Sequence, residues 1–376
     1  MATNDVTSRR RITLLGIGHT HAEVVRRWID HPFPNCDLVC ISQYPIASYS
    51  GMLPGAIGGQ FEDPDWQIDL RRLCNRAGAK LIIDETIACD RRSRRIYFQR
   101  HAPLDYDLLS IGIGSVPAGI DDIGNCPDVI GIRPMQTFQI RLRHHPKLAH
   151  PEPRIAVVGG GLAGAEIAMG LRRMRSRVAS SPGGSITLYT SSSRVGDELN
   201  SRAGVKLRSI LTDSLIEVVD GGRVTNIVDG QLSLADGRRY RADVVIWATG
   251  GVAPPLLSRF VLPTDDRGFP WTTPTLQSIA DAKIFVVGDS GTLKDHHAPK
   301  AGVYAVRQAP VLWHNLRASL DGGAMKSFQP QRDFLKLLNT GDGKALLQYG
   351  PLVCHAKWCW WLKRHLDQRF IQRLQI

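Results

Sequence analysis

Three sets of residues in this chain have the types and spacing to cradle an anionic ligand. The first is Gly16-Ile17-Gly18-His19-Thr20-His21, directly after the apolar run Ile12-Thr13-Leu14-Leu15. Gly16 permits a tight strand-to-helix turn. Gly18 lets backbone approach a pyrophosphate at a helix N-terminus, where free N–H groups and the dipole favour negative charge. His21 replaces the third glycine of the pattern, so helix and strand are expected to pack less closely there. The second set is cleaner: Ile155-Ala156-Val157-Val158 runs into Gly159-Gly160-Gly161-Leu162-Ala163-Gly164, with Glu166 just behind and all three glycines in register. The third is Gly288-Asp289 at the end of an apolar run, followed by Lys300-Ala301-Gly302. Two fingerprints in this order imply two dinucleotides in one molecule.

The elements that position them are buried strands alternating with helices. Leu38-Val39-Cys40-Ile41 ends in Ser42-Gln43, where an acid usually holds ribose hydroxyls. Ile186-Thr187-Leu188-Tyr189 ends in Thr190 and, four residues on, Arg194. Asp243-Val244-Val245-Ile246-Trp247-Ala248-Thr249-Gly250 is a further buried strand, and residues 106–115, through Gly112 and Gly114, form its looser counterpart. The chain therefore reads as α/β, with two Rossmann-like, three-layer dinucleotide domains.

With these motifs in place, the chain resembles the pyridine nucleotide-disulfide oxidoreductases and their type II NADH dehydrogenase relatives. The resemblance implies FAD at the first fingerprint and Asp289, with Asp289 bonding the ribityl and pyrophosphate region. It implies NADH or NADPH at the second, with Glu166 near the nicotinamide. No acid follows Tyr189 to repel a 2′-phosphate, and Arg194 could pair with one, so NADPH is as admissible as NADH. The helix from Lys300-Ala301-Gly302 would aim its N-terminus at the flavin C2 carbonyl. Residues 121–268, the nucleotide domain, would be inserted between FAD-domain parts at 1–120 and 269–325, leaving a C-terminal interface segment at 326–376. A narrower resemblance rests on Ser48-Tyr49-Ser50-Gly51-Met52-Leu53-Pro54-Gly55, the opening Gly-His-Thr-His and Ala301-Gly302-Val303-Tyr304. These look like a bacterial subgroup that also occurs fused N-terminal to selenide, water dikinase.

Missing residues narrow the chemistry. The family's cysteine pair would fall between Ile46 and Gln60, where there is none. Cys36 and Cys40 lie upstream, but four residues of strand separate them by roughly 13 Å, beyond the ~7 Å a disulfide tolerates. Seven cysteines without metal-ligand spacing read as reduced, mostly packed thiols. One alternative stays open: Cys126 and Cys354 could meet at the flavin, as distant cysteines do in sulfide:quinone oxidoreductases. No metal site is expected, because the histidines at 144–150 and the pair His296-His297 lack partner ligands. Glu166, Ser50 and Pro54 are the candidate site residues nearest the chemistry, Glu166 positioning nicotinamide and the Ser50 loop shaping the acceptor site.

The net charge of +12 is spread along the chain without a recognition motif, so nucleic acid is not expected as a partner. Met1-Ala2-Thr3-Asn4-Asp5 lacks a signal core and no run of 18 apolar residues occurs. The expected location is cytoplasmic. In the tail, Trp358, Leu362, Leu366, Phe370 and Leu374 recur every four residues among basic residues. That stripe faces a membrane leaflet, a sister subunit in a homodimer, or the protein's own core. The acceptor would be a quinone or similar small molecule; the alternative is a sulfur or selenium compound.

Overall fold

The computed structural model describes residues 9–124, 126–178, 184–296 and 299–376. Met1 to Asp5 and His297 lie outside the described residues. The first fingerprint links β1 (Arg10–Leu15) to α1 (His19–Asp30), and β2 (Cys36–Ser42) returns beside β1 in parallel. A short helix α2 (Leu53–Ile57) stands where the family's cysteines would be. β3 (Lys80–Ile83) and β4 (Leu108–Ile111) complete the first half of a sheet.

The chain then builds a second sheet from β5 (Val129–Gly131), β6 (Ile155–Val158), β7 (Ile186–Tyr189), β8 (Ile216–Val219) and β9 (Val244–Trp247). Its order is β5-β9-β6-β7-β8, all parallel, with α3 (Leu162–Val178) crossing from β6 to β7. Every residue of β6, β7 and β9 is buried, the expected pattern for strands covered on both faces. Afterwards β10 (Asp281–Val286) re-enters the first sheet beside β4, giving β10-β4-β1-β2-β3. The second sheet is thus inserted between β4 and β10 of the first. This is the two-Rossmann α/β architecture.

α4 (Gly302–Asp321) lies against α1 and carries its first turn to the ends of β1 and β10. The tail is an antiparallel sheet of β11 (Lys336–Asn339), β12 (Ala345–Tyr349) and β13 (Leu352–Ala356), followed by α5 (Lys357–Gln372). Contacts along α3 help lock the second sheet's unit to the rest. A Cβ on Gly170 of α3 would fall 2.5 Å from the Pro54 carbonyl oxygen, so α2 and α3 touch backbone to backbone. Arg173 of α3 donates to the carbonyls of Gly58 and Gly341.

Candidate active site

Each fingerprint divides its glycines between scaffold and ligand. Gly16 has φ +79°, and a Cβ there would lie 2.6 Å from the Gly112 oxygen. Gly18 has nothing closer than 3.8 Å, so its openness faces the cavity. In the second fingerprint Gly159 has φ +127° and would meet the Ala248 oxygen at 2.2 Å, while Gly164 would meet the Gly159 oxygen at 1.9 Å. Only the exposed Glu198 carboxylate approaches Gly161, at 3.2 Å. Gly18 and Gly161 thus leave room for a ligand, whereas the other three hold strand to helix.

A cavity of about 350 Å³ runs along the first fingerprint. Ser42, Gln43, Tyr44 and Thr86 line it, as do Ser48, Ser50, His19, Asp289 and Gly302. Thr20, Gly114, Gly288 and Ala305 line it too. Thr20 Oγ1 donates to the Ala305 carbonyl, fastening α1 to the start of α4. Gln308 accepts from the Gly288 N–H at 2.6 Å, and Ser290 Oγ accepts from Gly114 N–H at 2.8 Å. Both set the backbone around Asp289. Ser42 Oγ is bonded to the Tyr44 backbone, so the place of the usual ribose acid holds an uncharged turn. The open backbone at Gly18 beside a helix N-terminus suits a pyrophosphate, and a cavity that reaches from the end of β2 to Asp289 suits FAD.

Two sequence expectations change here. His21 does not loosen the helix–strand contact. Its ring occupies space left by Gly112, whose Cβ would stand 2.8 Å from the ring carbon, and it bonds the Gly16 oxygen and Ser110 Oγ. Burial pulls its pKa down to about 4, so it is neutral and cannot balance a phosphate charge. Lys300 also turns away from the cavity. Its ammonium bonds Gly291 O and Thr292 Oγ1 and sits 4.0 Å above the Phe269 ring, with burial lowering its pKa to about 8. Ala301 caps α4 and Gly302 takes the cavity wall.

The second fingerprint opens outward. Leu162 is half-buried and Ala163 exposed at the start of α3, and Thr190 is buried against Gly160. Gly250 has open space around it, and its carbonyl accepts from Ala118 N–H between the two units. The Arg194 guanidinium pairs with Asp197 at 3.3 Å and bonds the Asp197 and Leu199 carbonyls, so a 2′-phosphate would compete with its own loop.

In the cavity wall at Arg133, and behind it at Tyr49, Lys363 and Asp367, lies a group of residues that the sequence reading missed. Arg133 pairs with Asp289 at 3.1 Å and bonds Ser115 Oγ. Tyr49 OH donates to Asp367 at 3.0 Å. Lys363 pairs with the same carboxylate at 3.2 Å and donates to the Gly51 carbonyl at 3.0 Å. Glu166 is bonded to Asn339 N–H at 2.7 Å, with its carboxyl pKa raised by burial. Burial likewise raises Asp367; for Lys363 burial works against the charge, and Asp367 and then Glu166 together outweigh it and raise its pKa. The structure therefore brings Glu166, Pro54 and Ser50 to one neighbourhood, although only Ser50 lines the cavity. The one signal for the missed set was Lys363 and Asp367 at i,i+4 on the tail helix.

All seven cysteines are free thiols, and no cysteine is among the cavity-lining residues. Cys126 packs in the second sheet's core and Cys354 against Cys359 in the tail, so the two do not meet at the cavity. Among the described residues no group of three or more His, Cys, Asp or Glu side chains gathers as a metal site.

The model of the pyridine nucleotide-disulphide oxidoreductase family matches residues 41–309, more than half of the chain. The chain belongs to that family. It is an FAD-dependent NAD(P)H oxidoreductase. It is similar to the NADH dehydrogenase-like protein YutJ of Bacillus subtilis, 23% identical across 92% of this chain and 94% of that protein. In fold it is similar to the sulfide:quinone oxidoreductase of Aquifex aeolicus, at TM-score 0.80 and 14% identity over 97% of this chain and 91% of that one. Similar too is the NDH2 of Plasmodium falciparum solved with NADH, at TM-score 0.79 and 13% identity over 97% and 98%.

Proposed function

We propose that this enzyme takes hydride from NAD(P)H and delivers the electrons to a quinone or similar small acceptor without a redox-active cysteine pair. One observation carries the reading. The segment that would bear the pair is the buried start of α2, Leu53-Pro54-Gly55, and the aromatic, basic helix α5 bonds the backbone just before it through Lys363 and the Gly51 carbonyl. FAD, held by Gly18, Thr20, Gly114 and Asp289 on the turn that Gly16 shapes, would supply the two-electron redox chemistry. The chain's own residues bind and orient. Gly161 admits the nicotinamide dinucleotide at residues 121–268, Pro54 fixes the contact between α2 and α3, Glu166 ties α3 to the tail sheet through Asn339, and Ser50 borders the acceptor site. Trp358, Trp361 and Leu366 stand exposed on α5 and would meet the leaflet that holds a lipid quinone.

A second reading has a specific observation behind it. The likeness to a sulfide:quinone oxidoreductase, together with the dikinase-fused subgroup resemblance, favours a sulfur or selenium compound as substrate. Such chemistry would proceed here without Cys126 and Cys354 meeting at the flavin. The test is anaerobic reduction of the purified FAD-loaded protein by NADH, NADPH, sulfide and selenide, followed by reoxidation with short-chain quinones. Reduction by NAD(P)H and reoxidation by quinone support the first reading. Reduction by chalcogenide alone supports the second, and failure of all donors removes both.

A further inference from the structure

The cavity carries a titratable side chain for which the glycine fingerprint has no requirement. His19 packs in a three-ring cluster, with Tyr49 edge-on at 5.2 Å and Phe370 stacked at 5.8 Å, the two rings themselves 4.9 Å apart. Its Nε2 is buried with no hydrogen-bond partner among the described residues. That nitrogen and Ser50 Oγ each lie 4.0 Å from where a Cβ on Gly302 would stand. Gly302 opens the 20-residue helix α4, so its first free N–H groups share the locus. A buried polar atom without a partner calls for one, and a ligand can supply it. Three independent features therefore converge beside Gly302 in the cavity: a helix N-terminus, a hydroxyl and an unpartnered imidazole nitrogen.

We propose that His19 is a redox-linked proton site, its imidazole neutral beside the oxidised cofactor and binding one proton from solvent when two-electron reduction places negative charge at the start of α4. The proposal rests on the reading that this cavity holds FAD. The charges facing His19 are already paired off. Asp289 is matched by Arg133, and beyond Tyr49 Asp367 receives the Tyr49 hydroxyl and the Lys363 ammonium, with Glu166 also acting on Tyr49. Burial dominates and holds the His19 pKa at about 4, with Asp289 pulling it up and Arg133 down. A new negative charge within about 4 Å, at an effective dielectric near 20, raises a neighbouring pKa by about three pH units. That carries His19 into the neutral range. The balance closes: hydride from NAD(P)H brings two electrons and one proton, His19 binds a second proton, and a quinone leaves with two of each.

The experiment is a spectroelectrochemical titration of the FAD-loaded full chain between pH 5.5 and 8.5. Each proton taken up with two electrons changes the reduction equilibrium tenfold per pH unit, about 30 mV. The wild-type protein is expected to show two-proton dependence near pH 6 and one-proton dependence near pH 8.5. His19→Gln and His19→Asn are expected to show one-proton dependence throughout. A wild-type slope of one proton across the range overturns the proposal without any variant. A break that survives in either variant places the second proton elsewhere, on the cofactor itself, and also overturns it. If the wild-type chain takes up no FAD, the reading of the cavity falls first and the proposal with it.

Discussion

At the scale of single residues, the same amino acid serves opposite purposes in one motif. Gly164 is needed by the protein: a methyl group would sit 1.9 Å from the Gly159 oxygen, backbone against backbone. Gly164→Ala is therefore expected to lower stability by roughly 1–3 kcal/mol, as overpacking does, seen as a fall in the urea midpoint. Gly161 meets only the exposed Glu198 carboxylate, which can swing aside. Gly161→Val should keep the wild-type midpoint and bound FAD yet lose reduction by NAD(P)H. Reduction at the wild-type rate would remove the second fingerprint from the donor site. The sequence placed both glycines in one motif but could not tell them apart, because the distinction depends on what stands across from each. His21 gives a second residue-scale expectation. A histidine whose folded pKa lies near 4, below its unfolded value near 6.5, binds fewer protons folded than unfolded. Stability is then full above about 6.5 and is lost as pH falls toward 4. For one such group the loss between pH 7 and 5 is about 2 kcal/mol. Urea titrations of wild type and His21→Gln at those two pH values should differ by about that slope; equal slopes would mean the ring is not buried neutral.

At the scale of elements, the sequence was most legible where burial is complete. β6, β7 and β9 read as continuous apolar runs, and the structure buries all their residues. The tail helix was misread for a geometric reason. A spacing of four residues advances 400°, so Trp358, Leu362, Leu366, Phe370 and Leu374 drift about 40° per step and wrap around the helix. Phe370 and Leu374 end in the core while Trp358 and Leu366 end outside. The buried face instead runs through Cys359, Lys363, Asp367, Phe370 and Ile371. Two of these are charged, so hydrophobic pattern alone could not find it. Only the pairing of Lys363 with Asp367, and with the Tyr49 and Gly51 segment, makes the burial tolerable. Lys363→Met would strand Asp367 and Glu166 as buried carboxyls. Breaking such a pair is expected to cost on the order of 3–5 kcal/mol and to loosen the flavin, since Phe370 on the same helix stacks on His19. The double variant Lys363→Met, Asp367→Leu should recover most of the lost midpoint. Failure to recover would mean that Lys363 acts through the Gly51 carbonyl rather than through the pair.

At the scale of the whole molecule, α5 turns one face to the flavin unit and the opposite face outward. Trp361 is 66% and Trp358 52% exposed, and Leu352 and Tyr349 on the adjoining strands stand out as well. Lys357, Arg364 and Arg369 are exposed on the same helix and Arg373 at its C-terminal cap, whereas Lys363 and Asp367 cancel each other inside. Four outward cations remain. Against an anionic leaflet each contributes roughly 1 kcal/mol near the surface, and the indoles add apolar area at the depth where such rings settle. No helix among the described residues is long and apolar enough to cross a membrane, so contact would be peripheral. Vesicles containing phosphatidylglycerol should sediment the protein at low salt and release it as ionic strength rises, because charges are screened within about 10 Å at 0.1 M. Trp358→Ser with Trp361→Ser should weaken sedimentation while keeping flavin content and thermal midpoint, since both side chains are mostly solvent-exposed. If the pair instead lowers the midpoint and converts a dimer to monomer, the aromatic face is a subunit contact. A salt-independent, vesicle-independent protein with intact tryptophans would exclude the membrane altogether.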